Sequence, residues 1–230
     1  MIRRFKNRFE AGRLLAQKLQ SYANRSDVIV LALPRGGVPV AFEVARALNA
    51  PIDVFVVRKL GAPGQRELAM GAIASGGVRV LNEDVIRVMR IREEVVDAVA
   101  AEEQQEMERR ERTYRGRRPL PEFKGRTVIL VDDGLATGST MHAAVAALRH
   151  QRPARVVVAI PVAPPSALRE FQGEADEVVC VLAPEEPFEG VGRWYLDFSQ
   201  TSDEEVRQLL EQASGEKKIP ADFKIASQTD

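Results

Sequence analysis

Five largely apolar runs of strand length recur along the 230-residue chain, and helical patterns separate most of them. The runs cover residues 28–33, 52–57, 127–131, 155–162 and 177–183. Strands that are apolar on both faces and alternate with helices are typical of a parallel sheet covered on both sides. The pattern therefore predicts an α/β fold with a central parallel sheet flanked by helices, and the length suits one large domain.

Further local patterns predict helices, a hairpin and the organisation of the chain. Apolar spacing at Phe9, Leu14 and Leu19 favours an N-terminal amphipathic helix, and Ser202 with Glu205 forms a capping box before the last helix. We expect a single domain over 1–213, with a core at 26–183 and a small hood built from 1–25, 184–213 or both. Residues 70–118 are predicted to form a hairpin and helices that serve as an appendage or dimer arm. Residues 214–230 are predicted to be a flexible tail.

Composition and charge exclude several classes of protein. The 33 Lys and Arg residues balance 33 Asp and Glu residues, which argues against nucleic acid as the main partner. One cysteine, Cys180, cannot form an internal disulfide or a Cys-rich zinc site. No apolar run approaches the roughly 18 residues of a membrane span, and the N-terminus lacks a signal-peptide core. We therefore expect a cytoplasmic protein.

Three of the predicted strands end in residues suited to a phosphorylated sugar. Ligands of open parallel sheets bind at the carboxyl ends of strands. The first run leads into Pro34-Arg35-Gly36-Gly37, the second into Arg58-Lys59, and the third into Asp132-Asp133 followed by GLATGST. Glycine-rich backbone and cations suit phosphate groups, whereas two adjacent carboxylates repel phosphate and must face something else.

The loop after the acidic pair predicts a site for one phosphate. Backbone amides of Ala136, Thr137, Gly138, Ser139 and Thr140, at the start of a helix, can surround a phosphate group. The two carboxylates can accept hydrogen bonds from a vicinal diol, and the two basic segments can bind further phosphate. A ligand with one phosphate, a ribose and a pyrophosphate fits all three, which describes phosphoribosyl pyrophosphate (PRPP).

Three motifs carry a resemblance to a known family. VILVDDGLATGSTM resembles the signature loop of the type I phosphoribosyltransferases, ALPRGG is similar to their pyrophosphate loop, and VVRKLGAPG resembles a segment of the adenine phosphoribosyltransferases. The motifs occur in family order. The resemblance implies the family's α/β fold and a transfer of 5-phosphoribosyl from PRPP to a nitrogenous base, or the reverse, with pyrophosphate leaving.

The resemblance also implies roles for individual residues. Asp132 and Asp133 would hold the ribose 2′ and 3′ hydroxyls, and residues 136–140 the 5′-phosphate. Mg²⁺ would be held largely by the substrate and water, with the two aspartates contributing mostly indirectly. A lid is expected at 61–67, where Glu67 matches a loop glutamate of some relatives. The pyrophosphate would be bound by Arg35, Gly36, Gly37, Arg58 and Lys59.

The motifs leave the acceptor open. Hypoxanthine-guanine relatives carry an aspartate where this chain has Ala136, so a 6-oxopurine enzyme of that type is disfavoured, whereas adenine- and orotate-type enzymes remain possible. The competing hypothesis is a PRPP-sensing regulator that binds RNA or DNA without catalysis, and the basic stretch from Arg3 to Arg25 supports it. A homodimer is expected in either case.

Several residues with distinctive chemistry receive a plain interpretation. The aromatic residues Trp194, Tyr195 and Phe198 could stack on a nucleobase, but an aromatic group near a C-terminal helix is more often core. His142 and His150 have no evident partner in the sequence, and Cys180 lies in an apolar strand, where an inert buried thiol is expected.

Overall fold

The fold is centred on a five-stranded parallel sheet. A computed structural model describes residues 4–185 and 187–216. The strands lie in the order β2-β1-β6-β7-β8. The predicted α/β class is therefore confirmed. The bounds are β1 Val28–Ala32, β2 Ile52–Val54, β6 Thr127–Val131, β7 Arg155–Val162 and β8 Glu177–Leu182.

The strand order places a topological switch point between β1 and β6. From β1 the chain proceeds to β2 on one side, while β6, β7 and β8 follow on the other side. In register, Val28 pairs with Thr127 and Ala32 with Val131, so both strands end at the same level. The segments that follow β1 and β6 therefore emerge side by side, which is where open α/β sheets bind their ligands.

Two hydrophobic cores cover the two faces of this sheet. Alternate side chains of β1, such as Val30 and Leu31, belong to different cores, as the two-residue period of a strand requires. One core contains residues of α1 Arg8–Lys18, α2 Gly37–Leu48 and α7 Asp203–Glu216. The other contains α5 Ser139–His150, with α6 Pro165–Glu170 beside it.

A three-stranded antiparallel sheet and two helices form an arm between β2 and β6. The sheet has the order β3-β4-β5 and packs between α4 and α5. The expected hairpin across Gly76-Gly77 is present, and the Asn82 side chain caps α3 by accepting a hydrogen bond from the Val85 N–H. The bounds are β3 Val57–Ala62, β4 Gln65–Ala74, β5 Val78–Leu81, α3 Glu83–Val88 and α4 Glu93–Arg115.

Two expectations about this region were wrong. The run 52–57 is not one strand, because β2 ends at Val54 and the chain enters the antiparallel sheet at Val57. The segment 61–67, where a lid is expected, is not an irregular loop either, since Ala62 pairs with Gln65 across a two-residue turn. Both errors have one cause: a continuous apolar run and a glycine-proline cluster do not reveal which strand pairs with which.

The two ends of the described chain pack against each other, in the segments where the hood is expected. Phe5 and Tyr195 make a β-bridge, with the Phe5 N–H bonded to the Trp194 carbonyl at 2.8 Å and the Leu196 N–H to the Phe5 carbonyl at 2.8 Å. Phe5 is fully buried against Tyr195 in a small third core. α7 continues through Glu216, beyond the predicted start of the tail at 214, and 217–230 lie outside the described residues. Within 4–185 and 187–216, no helix is long and apolar enough to cross a membrane.

Candidate active site

The loops that follow β1 and β6 contact each other at glycines. A Cβ atom on Gly36 would lie 2.0 Å from Oδ2 of Asp133, and one on Gly37 would lie 2.7 Å from the carbonyl oxygen of Val131. Both distances are far below van der Waals contact, so no side chain fits at either position. The PRGG segment therefore presents bare backbone directly against the acidic pair. The peptide bond between Pro34 and Arg35 is cis.

Hydrogen bonds from the protein hold both carboxylates of the acidic pair. Oδ1 of Asp132 accepts from the Asp133 N–H at 2.8 Å. Oδ2 of Asp133 accepts from Nε of Arg8 at 2.8 Å, a contact between residues 125 positions apart. The Tyr195 hydroxyl donates to the Asp133 carbonyl oxygen at 2.6 Å, so the hood fixes the backbone of the pair as well.

Loss of solvent dominates the electrostatics of this pair. Burial raises the pKa of Asp132 well above the usual value, and the adjacent negative charge of Asp133 adds to the shift. Burial also raises the pKa of Asp133, although the Arg8 guanidinium opposes that shift. Burial and the charge of Asp133 raise the pKa of Tyr195, which therefore stays a hydroxyl donor. The carboxylates are poorly solvated, and hydrogen-bond donors on a ligand would replace the missing water.

Most residues of the loop after the acidic pair are exposed to solvent. Ala136, Thr137, Ser139 and Thr140 are exposed, whereas Gly138 is buried and adopts φ +68° as the N-cap of α5. The first N–H groups of a helix have no partner within the helix. Together with the hydroxyl groups of the loop, the first turn of α5 can therefore bind an anion.

Arg35 follows β1 and lies near a carboxylate of the last helix. Its Nη1 is 3.7 Å from Oδ1 of Asp203, and the Tyr114 hydroxyl donates to the same oxygen at 2.8 Å. Burial and the hydrogen bond to Asp203 raise the pKa of Tyr114 to about 12. Arg35 remains about one third exposed, so an anion can approach it from solvent.

The side chains of Arg58 and Lys59 lie on opposite faces of the antiparallel sheet. Both lie inside β3, where neighbouring side chains point to opposite faces. Arg58 faces α4 and donates from Nε to Oε2 of Glu103 at 2.7 Å. Lys59 lines a groove of 780 Å³ on the α5 side, together with Ser139 and His142. Lys59, and not Arg58, therefore faces the same side of the molecule as α5. The Glu67 side chain lies outside the described part of the molecule.

Two residues that the motifs did not single out for this site complete it. Arg8 binds Asp133 from α1, and Tyr195 binds the Asp133 backbone from the hood. In the sequence, Arg8 is one of several basic residues near the N-terminus, and nothing local distinguishes it. Phe198, predicted as a core aromatic residue, is 38% exposed and lies under the Arg8 guanidinium, with its ring centre 3.9 Å from Cζ.

The histidine on α5 and the cysteine have local explanations. His142 stacks on Phe171 at 4.0 Å, and its ring nitrogens lie 2.7 Å from Glu174 and 3.3 Å from Glu170, partners that the sequence did not reveal. Cys180 is half-buried, and burial raises the pKa of its thiol to about 11. A thiol with a raised pKa is a poor nucleophile, in line with the predicted inert role.

The donor set of this site suits Mg²⁺ in one binding mode. Among the described residues, no group of three or more His, Cys, Asp or Glu side chains could hold a metal ion. Mg²⁺ is often bound by one or two carboxylates and completes its shell with water and phosphate oxygens. Asp132 and Asp133 fit that mode, and a metal held only by protein side chains does not fit this site.

Comparison with known proteins gives consistent matches. The model of the phosphoribosyl transferase domain matches residues 2–192. Two proteins of Mycobacterium tuberculosis, from strains CDC 1551 and H37Rv and both provisionally named phosphoribosyl transferases, are 50% identical over 210 residues. The match covers 91% of this chain and 47% of each relative, so the chain spans about half their length. The crystal structure of TT1426 from Thermus thermophilus has a TM-score of 0.82 and 44% identity, covering 91% of this chain and 98% of that one.

Proposed function

Because the chain belongs to the phosphoribosyl transferase domain family, we propose that it catalyses transfer of 5-phosphoribosyl from PRPP to a nitrogenous base, or the reverse reaction. The observation that carries the proposal is the contact between the two loops at the switch point. Gly36 lies against Asp133, and the exposed start of α5 follows six residues later in the chain. One ligand could therefore contact three groups together: the PRGG segment through its pyrophosphate, the acidic pair (the diol clamp) through its ribose hydroxyls, and the loop 136–140 through its 5′-phosphate.

The proposed chemistry is displacement at the anomeric carbon of ribose. The bond to pyrophosphate breaks, a nitrogen of the base forms the new bond, and positive charge develops on the sugar ring. Asp132 and Asp133 orient the hydroxyls and lie near this charge. The positive charges of Arg35 and Lys59 would attract the departing pyrophosphate. When bound, Mg²⁺ would neutralise pyrophosphate oxygens, with the two aspartates holding it mainly through substrate and water.

The acceptor is proposed only as a nitrogenous base. Ala136 is exposed and carries no group that could bind a purine ring atom, which disfavours the hypoxanthine-guanine type of recognition. Phe198 is partly exposed next to Arg8, and contact with an aromatic side chain would not distinguish one base from another. Adenine-type and orotate-type acceptors therefore both stay open.

Isothermal titration with PRPP in the presence of Mg²⁺ tests the donor site. We expect binding by the wild type and a loss of about tenfold or more in affinity for Asp132→Asn/Asp133→Asn, since an amide oxygen accepts more weakly than a carboxylate. A matched control is Glu204→Asn/Glu205→Asn, two acidic neighbours at the start of α7. Absence of PRPP binding by the wild type, or unchanged binding by the double variant, would overturn the proposal. A panel of free bases scored for pyrophosphate release then identifies the acceptor.

The regulator hypothesis loses part of its support in the structure. It relied on the basic N-terminal stretch, but three arginines of this stretch pair with carboxylates of the same chain. Arg8 pairs with Asp133, Arg13 with Glu43 and Arg25 with Asp27. Less positive charge is therefore available to nucleic acid than the sequence suggests. PRPP binding without pyrophosphate release for any base, combined with salt-sensitive RNA or DNA binding, would favour the regulator.

A further inference from the structure

Arg8 connects three parts of the molecule at the acidic pair. Its Nε donates to Oδ2 of Asp133 at 2.8 Å, and its Nη1 donates to the Ser199 carbonyl oxygen at 2.7 Å. The guanidinium stacks on the Phe198 ring at 3.9 Å. The side chains of Arg8 and Asp133 are only 11% and 15% exposed, so this is not a solvated surface ion pair. A planar guanidinium with several fixed donors can hold such partners at once, which an ammonium cannot do.

The contact determines which oxygen atoms of the acidic pair remain available. Arg8 donates a hydrogen bond to Oδ2 of Asp133, and the Asp133 N–H donates one to Oδ1 of Asp132. These two contacts do not involve the second oxygen of either carboxylate. Without Arg8, Asp133 would lose the side-chain donor that fixes its rotamer, and it would stand next to a second carboxylate whose charge repels it.

We propose that Arg8 is a positioning residue for Asp133, and that recognition of the ribose hydroxyls depends on it. Arg8 orients Asp133 through its Nε–H and does not itself contact the diol. This inference rests on the proposed function, because it assigns the acidic pair to a ribose. It goes beyond the family motifs, since Arg8 lies outside all three of them and reaches the site only through the fold.

The test compares ribose 5-phosphate with its 2-deoxy and 3-deoxy analogues, using titration calorimetry on the full chain. We expect the wild type to bind ribose 5-phosphate about tenfold more tightly than either analogue, a preference that a single charge-assisted hydrogen bond can supply. Arg8→Gln should reduce at least one of these preferences to about twofold, while its affinity for inorganic phosphate stays unchanged. Arg8→Lys, which keeps the charge, should recover part of the preference.

Arg13→Gln is the matched control, because Arg13 lies on the same helix and pairs with Glu43 at 3.1 Å. It should keep the preference of the wild type. A thermal melt of each variant establishes that it is folded. If Arg8→Gln is unfolded, Arg8→Lys is compared with the wild type instead. An unchanged preference of Arg8→Lys for ribose 5-phosphate over the deoxy analogues would then overturn the inference.

Two outcomes for Arg8→Gln would overturn the inference and leave the proposed function intact. An unchanged preference for ribose would mean that Asp133 is positioned without Arg8. Tighter binding of ribose 5-phosphate would mean that Arg8 competes with the sugar hydroxyls for the Asp133 carboxylate. A wild type that does not discriminate against the deoxy analogues is a different failure, because it removes the diol clamp of the proposed function and the inference with it.

Discussion

At the scale of single residues, burial of the acidic pair lowers the stability of the folded protein. Asp132 lies half-buried beside Asp133 with its carboxylate poorly solvated, and it accepts one backbone hydrogen bond but no side-chain donor in the described residues. The folded protein thus carries a desolvation cost that a ligand with hydroxyl donors would offset. Asp133 differs, because the Arg8 charge compensates part of its own cost.

Asp132→Asn is therefore expected to stabilise the protein at pH 7, by roughly 1 kcal/mol or more. The pKa of Asp132 is raised on folding, so the folded state binds more protons than the unfolded state above the usual pKa, and stability falls as pH rises. The gain from Asp132→Asn should accordingly shrink as pH falls below the raised pKa toward the ordinary aspartate range. Urea unfolding of both proteins at several pH values measures this. Asp133→Asn should gain less, because it leaves Arg8 unpaired; an equal gain from both would contradict the argument.

Gly36→Ala is expected to weaken ribose 5-phosphate binding by about tenfold or more. Gly36 has φ −59°, a conformation that alanine adopts freely, so the effect comes only from the new methyl group. That group would lie 2.0 Å from Oδ2 of Asp133 and would displace the carboxylate. Calorimetric titration measures the loss. Gly215→Ala is the control, because its Cβ would meet nothing within 4 Å and binding should not change.

At the scale of elements, much of the sheet could be predicted because its signals are local. Four of the five apolar runs, the helix cap at Ser202 and the glycine pair at 76–77 act over a few residues and predicted the right elements. The division between β2 and β3 could not be predicted, because Phe55 and Val56 between them are buried like strand residues. The expectation that Arg58 and Lys59 follow a strand of the parallel sheet was wrong for that reason, since both lie inside β3. Arg8 could not be predicted because its partner is 125 residues away.

The arm is anchored to the central sheet by a buried ion pair. Arg115, near the end of α4, donates from Nε to both carboxylate oxygens of Asp53 at 3.1 Å and from Nη2 to the Val54 carbonyl oxygen at 2.9 Å. Arg115 is 6% exposed and Asp53 is 7% exposed. Burial raises the pKa of Asp53, although the charge of Arg115 opposes the shift. Removal of Arg115 would therefore leave the Asp53 carboxylate buried without its guanidinium partner.

Arg115→Met is expected to destabilise the protein by about 3 kcal/mol or more, because it leaves Asp53 buried and unpaired. Urea unfolding measures the change in the free energy of unfolding. Adding Asp53→Asn to this variant should recover part of the loss, since the uncompensated charge is gone. Arg112→Met, one turn earlier and 70% exposed at its side chain, should change stability by less than about 0.5 kcal/mol. A loss from Arg115→Met no larger than that of Arg112→Met would show that the pair does not anchor the arm.

At the scale of the whole molecule, the hood connects the two ends of the described chain to the acidic pair. Phe5 packs on Tyr195, Tyr195 binds the Asp133 backbone, and Arg8 follows Phe5 by three residues and binds the Asp133 side chain. The packing of the two ends therefore determines the surroundings of the acidic pair in this structure. Local sequence motifs reveal none of these contacts, since each contact joins segments far apart in the chain.

Phe5→Ala is expected to destabilise the protein by about 3 kcal/mol, the usual cost of removing a buried phenyl ring, and to weaken ribose 5-phosphate binding as well. The two effects are linked because loss of the ring frees the segment that carries Arg8. Urea unfolding with and without ribose 5-phosphate, together with titration, measures both, and saturating ligand should restore part of the stability. Leu196→Ala is the control, since Leu196 lies next to Tyr195 but is 70% exposed and should change neither quantity. A destabilised Phe5→Ala protein that binds with wild-type affinity would show that the hood supports the fold without organising the site.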